Sequence, residues 1–184
     1  FEDKTQRFRA DLDVSAQISP YMRFGELSPR RVVADVMAAA KEADDEARAL
    51  RRGKHKGRRP KVKKWEPRTF LRRLAWRDLA YWSLWFFPTL ADRPLRRQYE
   101  SQWWADPGDP ADGPLRAWQQ GLTGYPLVDA AMRQLWAWGW MPNYLRHVVA
   151  GFLVEHLGLD WRHGEAWFHD TLVDADVAFN AIRW

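Results

Sequence analysis

Tryptophan is the residue that most constrains how this chain can fold. Thirteen of the 184 residues are Trp, and aromatic residues make up 15% of the chain. Each indole brings a large apolar surface and an N–H group that needs a hydrogen-bond partner when it is buried. With 46% hydrophobic residues, the chain can form a sizeable core, and intrinsic disorder is excluded for most of its length. We expect most of the tryptophans to be buried and others to serve a flat ligand or electron transfer.

Several classes of protein are excluded by residues that the chain lacks. It has no cysteine, which excludes a disulfide scaffold, a zinc ribbon, a cysteine nucleophile and an iron–sulfur cluster. His163, His169 and Asp170 lack a compact ligand spacing, so we predict no metal site. No uninterrupted apolar window of about 18 residues occurs, so we expect no contact with a membrane. A soluble intracellular protein is expected, and no signal fixes its compartment.

The positive charge of the chain is concentrated in one segment, residues 51–64. This segment holds nine Lys and Arg and no acidic residue, whereas the rest of the chain carries 20 basic and 24 acidic residues. Two Gly, one Pro and no apolar periodicity predict a flexible loop there. Such a loop could contact phosphates, or it is a charged surface insertion or a targeting signal.

The order of helix-favouring segments and helix breakers predicts an all-α fold. No stretch alternates apolar and polar residues as a half-buried strand would. Ser28 followed by Pro29 is typical of a helix start, and Pro88 and Gly121 are typical of helix ends. Helices are predicted over residues 29–51, 70–87, 115–121, 127–138, 143–157 and 165–172, with a last helix from about residue 176.

A candidate anion site lies near the start of the chain. Ser19 before Pro20 begins a helix, and the free N–H groups and positive dipole end of a helix start favour an anion. Ser15 adds a second hydroxyl one turn upstream. Because Ser-Pro helix starts are common, simple capping is the alternative.

A second candidate is the stripe formed by Phe70, Arg73, Trp76 and Arg77 on one predicted helix. Arginines and a large aromatic ring on one face suit a flat or anionic ligand. The alternative is an ordinary amphipathic helix, whose Arg stems cover apolar surface.

A third candidate is a set of polar residues among apolar neighbours near the end of the chain. Its members are Asn143, Arg146 and His147 on one predicted helix and Asp174, Asp176 and Asn180 in the following stretch. Pairing with Arg146 would keep the carboxylate of Asp174 ionised in a partly buried site. Such groups either satisfy one another or hold a ligand, and both interpretations stay open.

Four long motifs, in order, carry a resemblance to a known family. They are SAQISPYMRFGELSPR (15–30), FLRRLAWRDLAYW (70–82), AWQQGLTGYPLVDAAMRQLWAWGWMPNYLRH (117–147) and DWRHGEAWFHDTLVDADVAFNAIRW (160–184). Together they resemble the helical FAD-binding domain of the photolyase and cryptochrome family, most closely its plant and algal photolyase-like branch. On this resemblance we expect residues 1–184 to be a fragment of a longer protein. It would lack the N-terminal antenna domain, with any antenna chromophore, and the final helices.

The resemblance implies FAD as the cofactor and a set of residues that bind it. The set is Ser15, Ala16, Gln17, Ile18, Ser19, Phe70, Arg73, Arg77, Arg146, Asp174, Ala175, Asp176 and Asn180. Within it, residues 15–19 match the diphosphate-binding run, and Arg146 and Asp174 match an ion pair beside the isoalloxazine ring. Asn180 matches the residue that faces the flavin N5, where photolyases typically place Asn and plant cryptochromes usually place Asp.

The resemblance also assigns electron-transfer and substrate residues. Trp184 and Trp161 match the first two members of the family's tryptophan chain, and the third falls at Trp103 or Trp104. For damaged DNA the resemblance implies the following contacts: Trp76, Asn143 and His147. Arg73 stands where enzymes that split cyclobutane dimers have Glu, and the pair Asn143 and His147 mixes two substrate signatures.

Two functions therefore follow from the resemblance. One is blue-light-driven repair of pyrimidine dimers by electron transfer from reduced FAD, with UV-damaged DNA as the partner. The other is a cryptochrome-like photoreceptor without repair activity, with a signalling protein as the partner. A helical nucleic-acid-binding module without flavin would rest on the basic segment alone.

Overall fold

The structure is a computed structural model of the chain, and it describes residues 15–52, 67–182 and 184. The helices are α1 (Ser19–Arg23), α2 (Pro29–Arg52), α3 (Arg68–Phe86), α4 (Pro114–Gln120), α5 (Pro126–Trp138), α6 (Asn143–Gly151), α7 (Trp161–Thr171) and α8 (Val177–Ala181), with 3₁₀ turns at Pro88–Ala91 and Arg97–Tyr99. No strand occurs among the described residues, and the predicted all-α class is confirmed. Within the same ranges no helix is long and apolar enough to span a bilayer. The basic segment lies outside the described residues, apart from its first two residues at the end of α2.

Proline and glycine set the limits of α4 and α5, which begin one residue before the predicted starts at 115 and 127 and end within one residue of the predicted ends. Pro114 and Pro126 occupy the first helical positions, where the missing N–H costs no hydrogen bond. Gly121 and Gly139 follow the last turns with φ of 66° and 64°, which is the left-handed conformation that glycine adopts without strain.

Two helices differ from their predicted limits by more than two residues. The helix predicted over 143–157 is α-helical only to Gly151 and continues as a π turn over Phe152–His156, where Leu157 N donates to Phe152 O at 3.0 Å. The helix predicted from residue 165 already begins at Trp161, because the carboxylate of Asp160 accepts a hydrogen bond from Arg162 N at 3.0 Å and caps the first turn.

The core lies between α4, α5, α6 and α7. Its centre is Trp118, which is fully buried, stacks on Phe168 at 6.2 Å and donates its indole N–H to Val149 O at 2.9 Å. The indole is therefore both packed and hydrogen-bonded, as a buried tryptophan requires.

The expectation that most tryptophans are buried is wrong for the described residues. Among the tryptophans that the structure describes, Trp118 alone is fully buried, and more than half of the residue's surface is exposed at Trp76, Trp82, Trp85, Trp103, Trp136 and Trp138. Helix α3 packs against α8 and the first 3₁₀ turn. Buried Ala80 marks that packed side, and the opposite side leaves Trp85 83% exposed.

Asp129 in the first turn of α5 organises the loop that precedes the helix. Its buried carboxylate accepts hydrogen bonds from Thr123 N at 2.8 Å, Thr123 Oγ1 at 2.6 Å and Gly124 N at 3.0 Å. Burial favours the neutral acid, but these hydrogen bonds and the charge of Arg133 outweigh it and hold the pKa of Asp129 below its ordinary value.

Asp129→Asn should therefore lower the free energy of unfolding at neutral pH by about 1–2 kcal/mol. Because the pKa is lower in the folded state, the stabilisation is complete above the unfolded pKa near 4 and is lost as the pH falls through the folded pKa. Urea unfolding at neutral and acidic pH measures the difference between wild type and variant, which should shrink in acid. Asp112→Asn, at an exposed position, is the control. A difference that does not change with pH would contradict the prediction.

Candidate ligand cavity

A cavity of about 690 Å³ lies between residues 15–23, α3, the start of α6 and the segment that leads into α8. Cavities of this volume hold small molecules and cofactors. Fifteen of the residues singled out in the sequence line it: Ser15, Ala16, Gln17, Ile18, Ser19, Phe70, Arg73, Trp76, Arg77, Asn143, Arg146, His147, Asp174, Asp176 and Asn180. The three candidate sites of the sequence are thus one site.

The end of α5 positions the acidic segment of the cavity. Val173 N donates to Gly139 O at 2.8 Å, and a Cβ atom at Gly139 would lie 2.7 Å from Val173 Cγ1. The missing side chain lets the two segments come together, which brings Asp174 towards α6. From the other side, the guanidinium of Arg23 donates through Nε to the carbonyl oxygen of Ala175.

Arg146 and Asp174 form the partly buried ion pair that the resemblance implies. Arg146 Nη2 lies 2.9 Å from Asp174 Oδ2, and Arg146 Nε donates to Met141 O at 2.8 Å. The side chain of Asp174 is only 5% exposed. A buried carboxylate of this kind depends on its cation, because removal of one partner leaves an uncompensated charge.

Asp176 has a different task, because both of its oxygens are used within the protein. Oδ1 accepts from Phe179 N at 3.0 Å and caps α8, while Oδ2 accepts from Tyr81 Oη at 2.6 Å and lies 3.9 Å from Arg77 Nε. Burial and the hydrogen bond to Asp176 raise the pKa of Tyr81, although the charges of Arg77 and Arg23 oppose the shift. The phenol therefore stays protonated and donates.

Three buried polar atoms in the described part of the chain have no hydrogen-bond partner, and all belong to residues that line this cavity. They are Trp140 Nε1, Asn180 Nδ2 and Asp174 Oδ1. Buried polar groups are almost always paired, and leaving one unpaired costs about 1–3 kcal/mol. Two donors and one acceptor are thus left for a bound molecule that offers complementary groups.

The backbone of residues 15–19 favours an anion. Gln17 has a φ of 46°, and Ile18 follows in the right-handed region with φ −92° and ψ −6°. A left-handed residue followed by a right-handed one turns successive N–H groups into an anion-binding concavity. The cavity is also lined by five arginines and two aspartates, so its net charge attracts anions.

Five residues to which the resemblance assigns a role lie outside the cavity lining. Ala175 is part of the buried core, and Trp184 packs edge-on against Phe168 at 5.1 Å. The guanidinium of Arg162 lies over the ring of Trp161 at 5.0 Å. Trp103 is 80% exposed, whereas Trp104 is half-buried.

Sequence reasoning missed several lining residues, namely Met22, Arg23, Arg72, Leu74, Trp140, Met141, Phe179 and Ile182. Arg23 and Trp140 lie inside the quoted motifs, so the motifs held the signal. The spacing of residues along the sequence could not identify them. The segments that meet in the cavity are far apart in the chain.

His163, His169 and Asp170 line a separate groove together with Asp92 and Glu165. Burial raises the pKa of Glu165, opposed by the charge of His169 and assisted by that of Asp92. Across residues 15–52 and 67–182 no group of three His, Asp or Glu side chains is placed to hold a metal ion.

Comparison with known proteins links the chain to flavoproteins. Residues 70–184 match the family model described as the FAD binding domain of DNA photolyase. The chain is 38% identical over 183 residues, 99% of its length, to the deoxyribodipyrimidine photo-lyase of Synechococcus, and 34% identical over its whole length to cryptochrome-1 of Arabidopsis thaliana. A crystal structure of a bacterial class III photolyase from Agrobacterium tumefaciens covers 98% of the chain with a TM-score of 0.76 and 34% identity. The chain spans 34%, 24% and 33% of these three proteins, respectively.

Proposed function

Because this chain belongs to the photolyase and cryptochrome family, as its FAD-binding domain, we propose that it binds FAD in the cavity and takes part in light-driven repair of UV-induced pyrimidine dimers. The observation that carries the proposal is the set of unpaired atoms on Trp140, Asp174 and Asn180 around one cavity. A flavin ring offers one N–H donor and several acceptors along its polar edge, which complements one acceptor and two donors. When bound, FAD supplies light absorption and one-electron transfer.

Different residues of the cavity would bind different parts of FAD. The backbone turn at residues 15–19 would hold the diphosphate. Arg146 holds the Asp174 side chain in place through Oδ2, so that Asp174 Oδ1 would accept a hydrogen bond from the ligand. Asn180 directs its amide into the cavity, and Phe70 provides an apolar wall. In this interpretation residues 1–184 form one FAD-binding domain.

Electron transfer would run through Trp184, Trp161 and a third tryptophan at the surface. Trp103 suits the last position better than Trp104, because its ring is 80% exposed and Trp104 is half-buried. An exposed ring exchanges charge and a proton with solvent more readily than a half-buried one. Trp161 carries Arg162 over its ring, and a nearby cation makes an indole harder to oxidise.

Damaged DNA would be recognised at the mouth of the cavity by Trp76, Asn143 and His147. Trp76 is 53% exposed and offers a stacking surface for an extruded base. Arg73 is exposed and lines the same cavity, at the position where the resemblance places Glu in dimer-splitting enzymes. This cation favours the second candidate, a cryptochrome-like photoreceptor with a signalling protein as the partner. The similarity to a plant cryptochrome supports the same alternative.

The test is performed on the full-length protein that contains this chain. We expect a flavin absorption spectrum after purification, and loss of dimers from DNA on illumination with blue light and a reductant. Flavin photoreduction with intact dimers would favour the photoreceptor, and a protein without flavin would contradict the proposal for the cavity.

Arg73→Glu tests what limits repair. We expect the variant to repair dimers at least about tenfold faster than wild type, because a carboxylate can accept hydrogen bonds from the extruded bases where a guanidinium cannot. Arg30→Glu makes the same change of charge at an exposed position outside the cavity and should leave the rate unchanged. Equal rates in wild type and Arg73→Glu would show that this position does not limit repair.

A further inference from the structure

We infer that Tyr81, which lies outside the cavity lining, is a positioning residue that acts through Asp176 and α8 on the amide of Asn180. The inference rests on the proposed function, since FAD is the ligand that the amide serves. It also assigns different tasks to the two aspartates of the cavity: Asp174 offers an acceptor to the ligand, and Asp176 builds the support.

Tyr81 is held on α3 in a fixed orientation towards Asp176. It lies one helical turn after Arg77, whose guanidinium carbon sits 5.1 Å from the centre of the Tyr81 ring. Its hydroxyl donates to Asp176 Oδ2 at 2.6 Å, a short distance that is typical of a hydrogen bond to a charged acceptor. Arg77 lines the cavity, so this contact connects the cavity wall to the residue behind it.

Asp176 links Tyr81 to α8, because its carboxylate accepts hydrogen bonds from both. Its Oδ1 accepts from Phe179 N at 3.0 Å, and its main-chain carbonyl accepts from Asn180 N at 2.8 Å. Helix α8 has only five residues, too few to be stable without its cap and tertiary contacts. The direction of the Asn180 side chain therefore depends on how firmly the Asp176 carboxylate is held.

Asp174 and Asp176 differ in the hydrogen-bond partners of their carboxylate oxygens. Both oxygens of Asp176 accept hydrogen bonds from the protein, whereas Asp174 Oδ1 is buried without a partner in the described part of the chain. A ligand N–H would pair an otherwise unpartnered oxygen at Asp174, whereas at Asp176 it would share an oxygen that already accepts a hydrogen bond from the protein. Loss of the Tyr81 hydroxyl should consequently disturb Asn180 and leave the pair between Arg146 and Asp174 intact.

The experiment compares FAD binding and the flavin absorption spectrum of Tyr81→Phe and wild type in the full-length protein. We expect Tyr81→Phe to weaken FAD binding about tenfold, as loss of one hydrogen bond to a charged group would, and to change the flavin absorption band. Faster amide hydrogen exchange over residues 177–181 should accompany both changes. Tyr99→Phe, at an exposed tyrosine outside the cavity, should match wild type in all three measurements.

A double-mutant cycle tests the route through Asp176. Asp176→Ser keeps a side-chain oxygen that can cap α8 but removes the acceptor of Tyr81. In that background Tyr81→Phe should change FAD affinity by less than about twofold. A full additive loss would overturn the route through Asp176.

The outcomes separate this inference from the proposed function. If wild type binds no FAD, the proposed function fails. If wild type binds FAD and Tyr81→Phe has the same affinity and spectrum, only the role of Tyr81 fails. Should Tyr81→Phe not fold, 3-fluorotyrosine at position 81 keeps the shape and makes the hydroxyl a stronger donor. A changed flavin spectrum then supports the inference, and an unchanged one overturns it.

Discussion

Replacing Arg146 with alanine should abolish FAD binding and lower the free energy of unfolding by about 3–5 kcal/mol. The variant leaves the carboxylate of Asp174, which is 5% exposed, without its cation. Its second oxygen already lacks a partner, so the charge would be buried with no compensating group from the described residues. Urea unfolding and flavin fluorescence measure the two effects.

Two further variants show whether the effect comes from the buried pair. Arg31→Ala breaks an ion pair of similar length, 2.8 Å to Asp35, in which both side chains are more than half exposed. It should leave stability and FAD binding unchanged, because solvent screens such pairs. Arg146→Lys keeps the charge but not the two-armed geometry that reaches both Met141 O and Asp174, and it should fall between wild type and Arg146→Ala. Equal stability of wild type and Arg146→Ala would contradict the importance of the pair.

Gly164→Ala should produce the second large effect, a loss of about 1–3 kcal/mol in the free energy of unfolding together with slower flavin photoreduction. A Cβ atom at Gly164 in α7 would lie 2.3 Å from Trp184 Cη2 and 2.6 Å from Leu153 Cδ2. Leu153 is fully buried, so the indole of Trp184 is the group that must move. As Trp184 is the proposed first member of the electron-transfer chain, its displacement should reduce photoreduction more than FAD binding.

Gly151→Ala is the matched control. Gly151 ends α6, and nothing lies within 4 Å of the Cβ atom that alanine would add there. This variant should be as stable as wild type or slightly more stable, because alanine favours the helix. A Gly164→Ala variant with unchanged stability and photoreduction would show that the space around Trp184 is not tight.

The local limits of the helices could be predicted from the sequence because they depend on residues a few positions apart. Pro126 begins α5 and Gly139 ends it through backbone angles that belong to those residues themselves. The π turn after Gly151 was not predictable in this way. It keeps Phe152 and Leu153 buried against other helices, and no local pattern contains that packing.

Most of the cavity could also be predicted: local patterns indicated three separate candidates, and the resemblance joined them in one FAD site. The long motifs carried residues 15–19, the α3 stripe and the polar set around Arg146 and Asp174. Neither spacing nor resemblance indicated that Trp140 would turn an unpaired indole N–H to the cavity, or that the two aspartates would have different partners. Tyr81 and Asp176 are 95 positions apart, so only the packing of α3 on α8 brings them together.

The sequence by itself determined the helical class, the limits of α4 and α5 to within one residue, and the family to which the chain belongs. Each of these follows from backbone preferences or from residues in a fixed order. The tertiary structure alone decided which tryptophans are buried, which cavity atoms are left without partners, and which aspartate supports α8. These properties depend on which surfaces of distant segments meet, and a side chain's burial and hydrogen bonds are set by the neighbours it meets in space.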